Sequence, residues 1–394
     1  MKNETDGFEY LRRELAELAE ANLLRELVCI DSAQGTKVVL GGEQKVVFCS
    51  NDYLGLANHP AVVSAVSQAI TQYGHGTGAS RLVSGTMRPH VELEGELANL
   101  FGKEQALVFP CGWMANEAVI RTIPKQGDVV LLDKLDHASI IDAARSSQAE
   151  FRTYRRGDLG RLEKLLARDT WVRKFIVTES IFSMDGDAAD LAALVELKKK
   201  YSAYLIVDEA HALGCFGWRG AGLAEELGLL DDVDIVVATL SKALGSGGGV
   251  VASKKVVVDM LINRARSFIY TTACTVSNCA AALAALRLFQ SDPARRRRVR
   301  ENADYLRHRL RAMGIDTGRS CSQIIPVIIG GSDEAVAVSR GLLSRGFLAP
   351  AIRPPTVAVG TARLRLSVQS EHGKEQMDGF CEALADVFSA DVSG

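Results

Sequence analysis

An apolar run, Ile235-Val236-Val237-Ala238-Thr239-Leu240-Ser241, ends on Lys242 and leads into Gly247-Gly248-Gly249. A second run, Tyr204-Leu205-Ile206-Val207, delivers Asp208 and, three positions on, His211. A charged group at the end of a buried strand is costly to desolvate and needs a partner or a chemical role. An amine and a carboxylate on neighbouring strand ends match the two poles of pyridoxal phosphate (PLP). The lysine would condense with its aldehyde and the aspartate would pair with its protonated ring nitrogen. The competing reading of Lys242 is a surface lysine whose stem lies along apolar neighbours.

Those strand ends must be held by a sheet. From about residue 60 to 290, apolar runs alternate with helical stretches: Ala106 to Phe109, Val129 to Leu132, Phe175 to Thr178, Leu205 to Asp208, Ile235 to Thr239 and Gly249 to Ala252. The alternation predicts a mainly parallel sheet covered on both faces, with ligands beyond its carboxyl ends. Residues 8 to 30 carry helical periodicity through Leu11, Leu15, Leu18, Leu23, Leu24 and Leu27. Lys37 to Leu40 and Lys45 to Phe48 form a predicted strand pair turning at Gly41-Gly42. After Asp292-Pro293 the order is helix, strand Ile324 to Ile329, helix, strand Arg363 to Val368, a smaller α+β unit. The expected organisation is α/β: an N-terminal segment over 1–59, a PLP-binding large domain over 60–290 and a small domain over 291–394.

Further candidates fall at the same edge. Phe109-Pro110-Cys111-Gly112-Trp113-Met114 reads as strand, tight turn and helix start, so the free amides around Cys111, Gly112 and Trp113 suit a phosphate. Asp136-His137-Ala138-Ser139 places His137 where it could stack on the cofactor ring; the plainer alternative is a capping Asp136 with an incidental histidine. Ser183, in the polar loop after Thr178, could hydrogen-bond to cofactor or substrate, while Asp185-Gly186 reads as a turn. His211 is placed to donate to the phenolate oxygen of PLP, and Thr239, Thr271 and Thr272 offer hydroxyls for the phosphate. The stretch Gly74-His75-Gly76-Thr77-Gly78-Ala79-Ser80-Arg81 is too glycine-rich for a helix and lacks a P-loop ending, which leaves a substrate-facing loop or a plain connection.

The bulk properties fit an ordinary soluble globular protein. The chain has 394 residues, 47% hydrophobic and 24% charged, with a formal net charge of −2, so no overall field favours nucleic acid or an anionic membrane. The basic run Arg295 to Arg298 with Arg300 lies in a helical pattern beside Glu301 and Asp304 and reads as a solvated face. Eight scattered cysteines without a CxxC pair suit neither zinc nor a disulfide framework, and no metal is expected. The first residues are polar and acidic and no apolar run reaches spanning length, so a cytoplasmic location is expected.

Ser50-Asn51-Asp52-Tyr53-Leu54-Gly55-Leu56, the Gly74 to Gly85 loop, Thr178 to Asp187, Val207 to His211 and Thr239 to Lys242 together resemble the motifs of the α-oxoamine synthase family in order and spacing. These are fold type I PLP-dependent acyltransferases, and the likeness covers nearly the whole chain. It departs from the family pattern at Ala189-Asp190 and Ala358. Within the family, Ala351 to Val357 and Gly360 to Leu366 are most similar to the member that condenses L-alanine with a pimeloyl thioester; members using glycine or another acyl thioester are the alternative. The resemblance implies Lys242 as the general base at Cα and His137 as a steering group for the acyl donor. It also implies Asn51 and Arg365 near the amino-acid carboxylate, with Arg353 either a second carboxylate contact or a structural ion pair, and Arg25 near the distal acyl carboxylate. The family implies a homodimer with shared sites, Thr271 and Thr272 reaching the neighbour's phosphate, and a coenzyme A or acyl-carrier-protein thioester as substrate.

Overall fold

A computed structural model describes residues 7–391. Its strands are β1 (Lys37–Leu40), β2 (Glu43–Val47), β3 (Gln105–Phe109), β4 (Val129–Asp133), β5 (Glu150–Tyr154), β6 (Lys174–Glu179), β7 (Tyr204–Asp208), β8 (Ile235–Thr239), β9 (Gly249–Ser253), β10 (Ile324–Gly330), β11 (Phe347–Leu348), β12 (Ala351–Ile352) and β13 (Ala362–Ser367). The large sheet has the order β3-β9-β8-β7-β6-β4-β5. Strands β8, β7, β6, β4 and β5 run parallel, whereas β9 is antiparallel to both its neighbours.

The two-residue period of a strand sends alternate side chains to opposite faces. Val129, Leu131, Leu205, Val207, Val236 and Ala238 enter one core, which also holds Tyr53, Leu54, Leu56 and the helix Val276–Ser291. Val130, Leu132, Ile206, Ile235 and Val237 enter the other, under the helix Gly112–Thr122. Parity carries on past the strand ends. Glu179, Asp208 and Thr239 belong to the second face, while Asp133, Thr178 and Glu209 belong to the first. Glu209 accordingly turns away from Asp208 and accepts from the amides of Leu223 and Ala224.

The C-terminal layer is the antiparallel sheet β10-β13-β12 with a core of Leu306, Leu310, Ile325, Leu364, Phe380 and Leu384. The β1–β2 hairpin, turning through Gly41 and Gly42 at positive φ, joins this layer: β2 pairs with β11 and Phe48 packs into its core. Ala189-Asp190, one departure from the family pattern, starts a helix, and the Asp190 carboxylate caps it by accepting from Ala193 N at 3.1 Å.

Two expectations are corrected. The N-terminal helix is Glu9–Glu20, not 8 to 30, because Asn22 takes φ +52 and the amides of Leu23 and Leu24 fold back onto Leu18 O. The basic run is a solvated face only in part: Arg297 and Arg300 are exposed, whereas Arg296 turns inward and most of the run is tied to other elements. Arg296 is buried and donates to Trp218 O at 2.6 Å, Arg295 donates to Leu54 O and Glu371, and Arg300 donates to Glu226 while lying over the Phe216 ring. Arg296 and Arg300 join the helix Pro293–Ala312 to the segment 216–226 of the large core, and Arg295 joins it to Leu54 and Glu371.

Candidate active site

The ends of β7 and β8 and the start of the helix Gly112–Thr122 enclose a cavity of about 260 Å³ lined by Asp208, Lys242, Thr239, Ser241, Asn116 and His137, among others. The turn into that helix lies tight against β9: a Cβ on Gly249 would sit 2.6 Å from Cys111 O, so only glycine fits there. No side chain caps this helix, which leaves its first amides facing the cavity beside the Thr239 and Ser241 hydroxyls, themselves 2.8 Å apart. That arrangement provides donors and a positive dipole end for an anion.

On the cavity wall, Asn116 Nδ2 donates to Asp208 at 2.7 Å and Ala210 N donates to its other oxygen at 2.9 Å. Asn116 also reaches Ser139 Oγ, which lies 2.8 Å from His137 Nδ1. His137 stands edge-on to Trp113 at the mouth, with ring centroids 6.0 Å apart. Glu179 pairs with Asp208 across the strands, its Oε2 buried without a partner; burial first, then the nearby Asp208 charge, push its pKa up.

A polar chain runs inward from the lysine. Lys242 Nζ donates to His211 Nε2 at 2.9 Å, and His211 Nδ1 lies 2.7 Å from Tyr53 Oη. Tyr53 Oη donates to Asn51 Oδ1 at 3.1 Å. Burial, followed by the Lys242 and Arg365 charges, holds His211 far below the usual histidine range, so it is neutral: Nε2 accepts from the amine and Nδ1–H donates to the phenol. Burial likewise lowers the Lys242 pKa, partly offset by Asp208 and Glu179. Arg365 closes the chain. Its Nε donates to Ser183 O at 2.5 Å, Nη1 to Asn51 Oδ1 at 3.2 Å and Ser367 Oγ at 2.8 Å, and Nη2 to Tyr53 Oη at 3.4 Å.

The structure thus brings Lys242, Asp208, Thr239, His137, Cys111, Gly112 and Trp113 around one cavity and links Asn51, Arg365 and the Ser183 carbonyl to it, while His211 lies behind Lys242 with both ring nitrogens engaged by Lys242 and Tyr53 rather than turned to a phenolate. Thr271 and Thr272 stand apart at the surface, where Ala273 is tied to Ala79 and Thr77 of the glycine-rich loop. Arg25 donates to Thr356 Oγ1 at 3.2 Å. Arg353 takes the carbonyls of Asn22 and Leu24, so its present partners are backbone rather than a carboxylate, and it holds the segment that carries Arg25. Reasoning from sequence missed Asn116, Ser139, Ser241, Glu179 and the role of Tyr53. A lone asparagine one turn after Gly112 on an otherwise apolar helix face was the available signal for Asn116.

An amine, a carboxylate, uncapped amides and two hydroxyls, with Asn116 Oδ1 and Glu179 Oε2 left unpartnered, form a donor and acceptor set that fits PLP. Among the described residues no cluster of His, Cys, Asp and Glu is placed to hold a metal, and no helix is long and apolar enough to cross a membrane.

The family model for aminotransferase class I and II matches residues 43–384. The chain is 45% identical over 377 residues to the 8-amino-7-oxononanoate synthase of Geobacter sulfurreducens, covering 95% of this chain and 96% of that protein. It superposes on a serine palmitoyltransferase from S. paucimobilis with PLP bound, at a TM-score of 0.92 and 31% identity over 97% of this chain and 98% of that one. A third match is the 8-amino-7-oxononanoate synthase of Francisella tularensis, with a TM-score of 0.77 and 28% identity over 88% of this chain and 99% of that one. The chain belongs to the aminotransferase class I and II family and has the fold of the fold type I PLP-dependent transferases.

Proposed function

We propose that this protein is a PLP-dependent acyltransferase that condenses L-alanine with a pimeloyl thioester to give 8-amino-7-oxononanoate on the route to biotin. The carboxylate–Cα bond of alanine and the acyl C–S bond break, a Cα–acyl bond forms, and carbon dioxide and the free thiol leave. The observation that carries this reading is the single cavity shared by Lys242 and Asp208, joined through His211 and Tyr53 to a buried arginine. When bound, PLP supplies a sink for the electron pair left at Cα.

The residues take the following parts. Asp208, fixed by Asn116 and Ala210 N, presents a negative charge to a ring nitrogen. The uncapped amides after Cys111, with Thr239 and Ser241, hold a phosphate. Lys242, its pKa lowered by burial, takes a proton at Cα and returns it, while neutral His211 accepts from its amine and donates to Tyr53. Arg365 and Asn51 hold the substrate carboxylate, for which a guanidinium fork is suited. Arg25 receives the distal carboxylate of the acyl chain, and His137 with Trp113 flanks the entry.

The working unit in this reading is a homodimer. Leu15 and Leu18 of the N-terminal helix, Leu82, Val83 and Tyr270 are exposed, and the last three lie near Thr271 and Thr272 in sequence or through the loop that ties to them. A second subunit would cover these side chains and bring Thr271 and Thr272 to its neighbour's phosphate.

A panel of alanine, glycine and serine against pimeloyl, acetyl and palmitoyl thioesters, each on coenzyme A and on acyl carrier protein, tests the assignment by release of carbon dioxide and free thiol. Alanine with a pimeloyl thioester is expected to give the highest kcat/KM. Faster turnover of glycine with acetyl thioester would overturn it.

A further inference from the structure

The turn Ser183–Asp187 after β6 does more than reverse the chain. It is wedged against the C-terminal layer: Gly186 has φ +65, and a Cβ there would sit 2.0 Å from Ile324 O. The amide of Cys321 and the hydroxyl of Ser322 both donate to Gly186 O. Two arginines on one face of β13 reach this turn at alternate positions. Arg365 donates to Ser183 O, and Arg363 donates to the Asp185 carboxylate. Both guanidiniums are buried, with Arg363 7% and Arg365 8% exposed. A third guanidinium, Arg156, lies 3.3 Å from the Phe182 ring and donates to Asp185 at 3.2 Å and Asp187 at 2.6 Å.

Two like charges at positions i and i+2 of a strand face repel each other when buried unless an anion stands beside them. Asp185 is that anion for Arg363. Strand and turn are therefore joined by two rungs, Arg363–Asp185 and Arg365–Ser183, and the second rung aims the guanidinium that meets Asn51 and Tyr53. Every side-chain partner of Arg365 is neutral, so its place depends on where the turn sets the Ser183 carbonyl, and loss of the first rung loosens that turn against β13.

We propose that Asp185 is a positioning residue for the substrate carboxylate, acting through Arg363 and the Ser183–Asp187 turn to set the place of Arg365. The inference rests on the reading of Arg365 as the carboxylate contact. It predicts a selective defect, because the acyl thioester is bound elsewhere.

The test is steady-state kinetics of full-length PLP-loaded enzyme. Asp185→Asn should raise KM for alanine about tenfold, the effect of losing roughly one charge-assisted hydrogen bond. KM for the pimeloyl thioester and kcat should change by less than about twofold to threefold. Asp185→Glu should recover part of the alanine affinity. Arg363→Gln should reproduce the defect, and the double variant should be no worse than either single one, as expected for partners in one contact. If Asp185→Asn is insoluble, Arg363→Gln and Arg363→Lys provide the same comparison. An unchanged alanine KM, equal rises for both substrates, or additive effects in the double variant would overturn the proposal. Should the wild-type enzyme prefer another amino acid, the KM of that amino acid is measured instead, so an error in substrate assignment is separable from an error about Asp185.

Discussion

The carboxyl edge of the large sheet opens into two cavities, one on each face. The cavity at Lys242 is about 260 Å³, and the one at Arg156, lined by Asp133, Tyr154, Thr178, Phe182, Asp187 and Arg319, is about 380 Å³. Both contain buried carboxylates delivered by strand ends, and parity alone decides which face each one enters. In the larger cavity the carboxylates meet arginine: Arg156 lies 3.9 Å from Asp133 and 2.6 Å from Asp187, and Arg319 lies 3.6 Å from Asp187. In the smaller one the cationic group is a lysine with its pKa lowered by burial, and two buried polar atoms lack partners. Size is thus a poor guide to chemistry here. Carboxylates already paired with arginine fix structure, even with Arg156 Nε short of a hydrogen bond, whereas an amine, a carboxylate and unpartnered acceptors leave bonds for a ligand to make.

The comparison can be broken from either side. Asp208→Asn keeps shape and removes charge, so hydrogen exchange at Cα of alanine should slow by orders of magnitude while the melting temperature holds. A lost buried charge pair is worth several kcal/mol, and about 1.4 kcal/mol is tenfold in rate. Exchange at the wild-type rate would remove Asp208 from the chemistry. In the other cavity, Arg156→Met leaves the buried Asp133 and Asp187 without their shared partner and should cost about 3–5 kcal/mol of stability. Chemical denaturation would show it as a lower midpoint, with exchange at saturating alanine largely kept. Undiminished stability there would mean that the arginine does not hold the second cavity together.

A baseline far from both cavities is His372, which stacks on Phe48 at 4.5 Å, accepts from Gln369 N and lies 2.9 Å from Val47 O. Burial lowers its pKa to about 4 from 6.5. A histidine depressed in the folded state contributes stability that is fully present above about pH 6.5 and lost as pH falls toward 4, at most about 3 kcal/mol. In His372→Asn the unfolding free energy should vary less steeply with pH across that window than in wild type, with little change in turnover at pH 8. Equal slopes would contradict the neutral, buried state of this histidine.

Much of this was legible because strand ends are marked in sequence: an apolar run followed by Asp208 or Lys242 states both the element and the residue it delivers. Direction was not legible, since Gly249–Ser253 reads the same whether parallel or antiparallel. Strand β5 escaped notice because, as an edge strand, it buries only Tyr154 fully. Arg296 and Asp185 were misread as a solvated charge and a plain turn for one shared reason. Their partners, Trp218 O and Arg363, lie 78 and 178 residues away. Asn116 is a similar case, its partner Asp208 being 92 residues distant.

The central claim, that the amine at the end of β8 is the one that meets PLP, is tested most directly by borohydride reduction of the PLP-loaded protein followed by peptide mapping. The account predicts the pyridoxyl group on Lys242 alone and its loss in Lys242→Ala. A pyridoxyl group on any other lysine of the wild-type chain would contradict it.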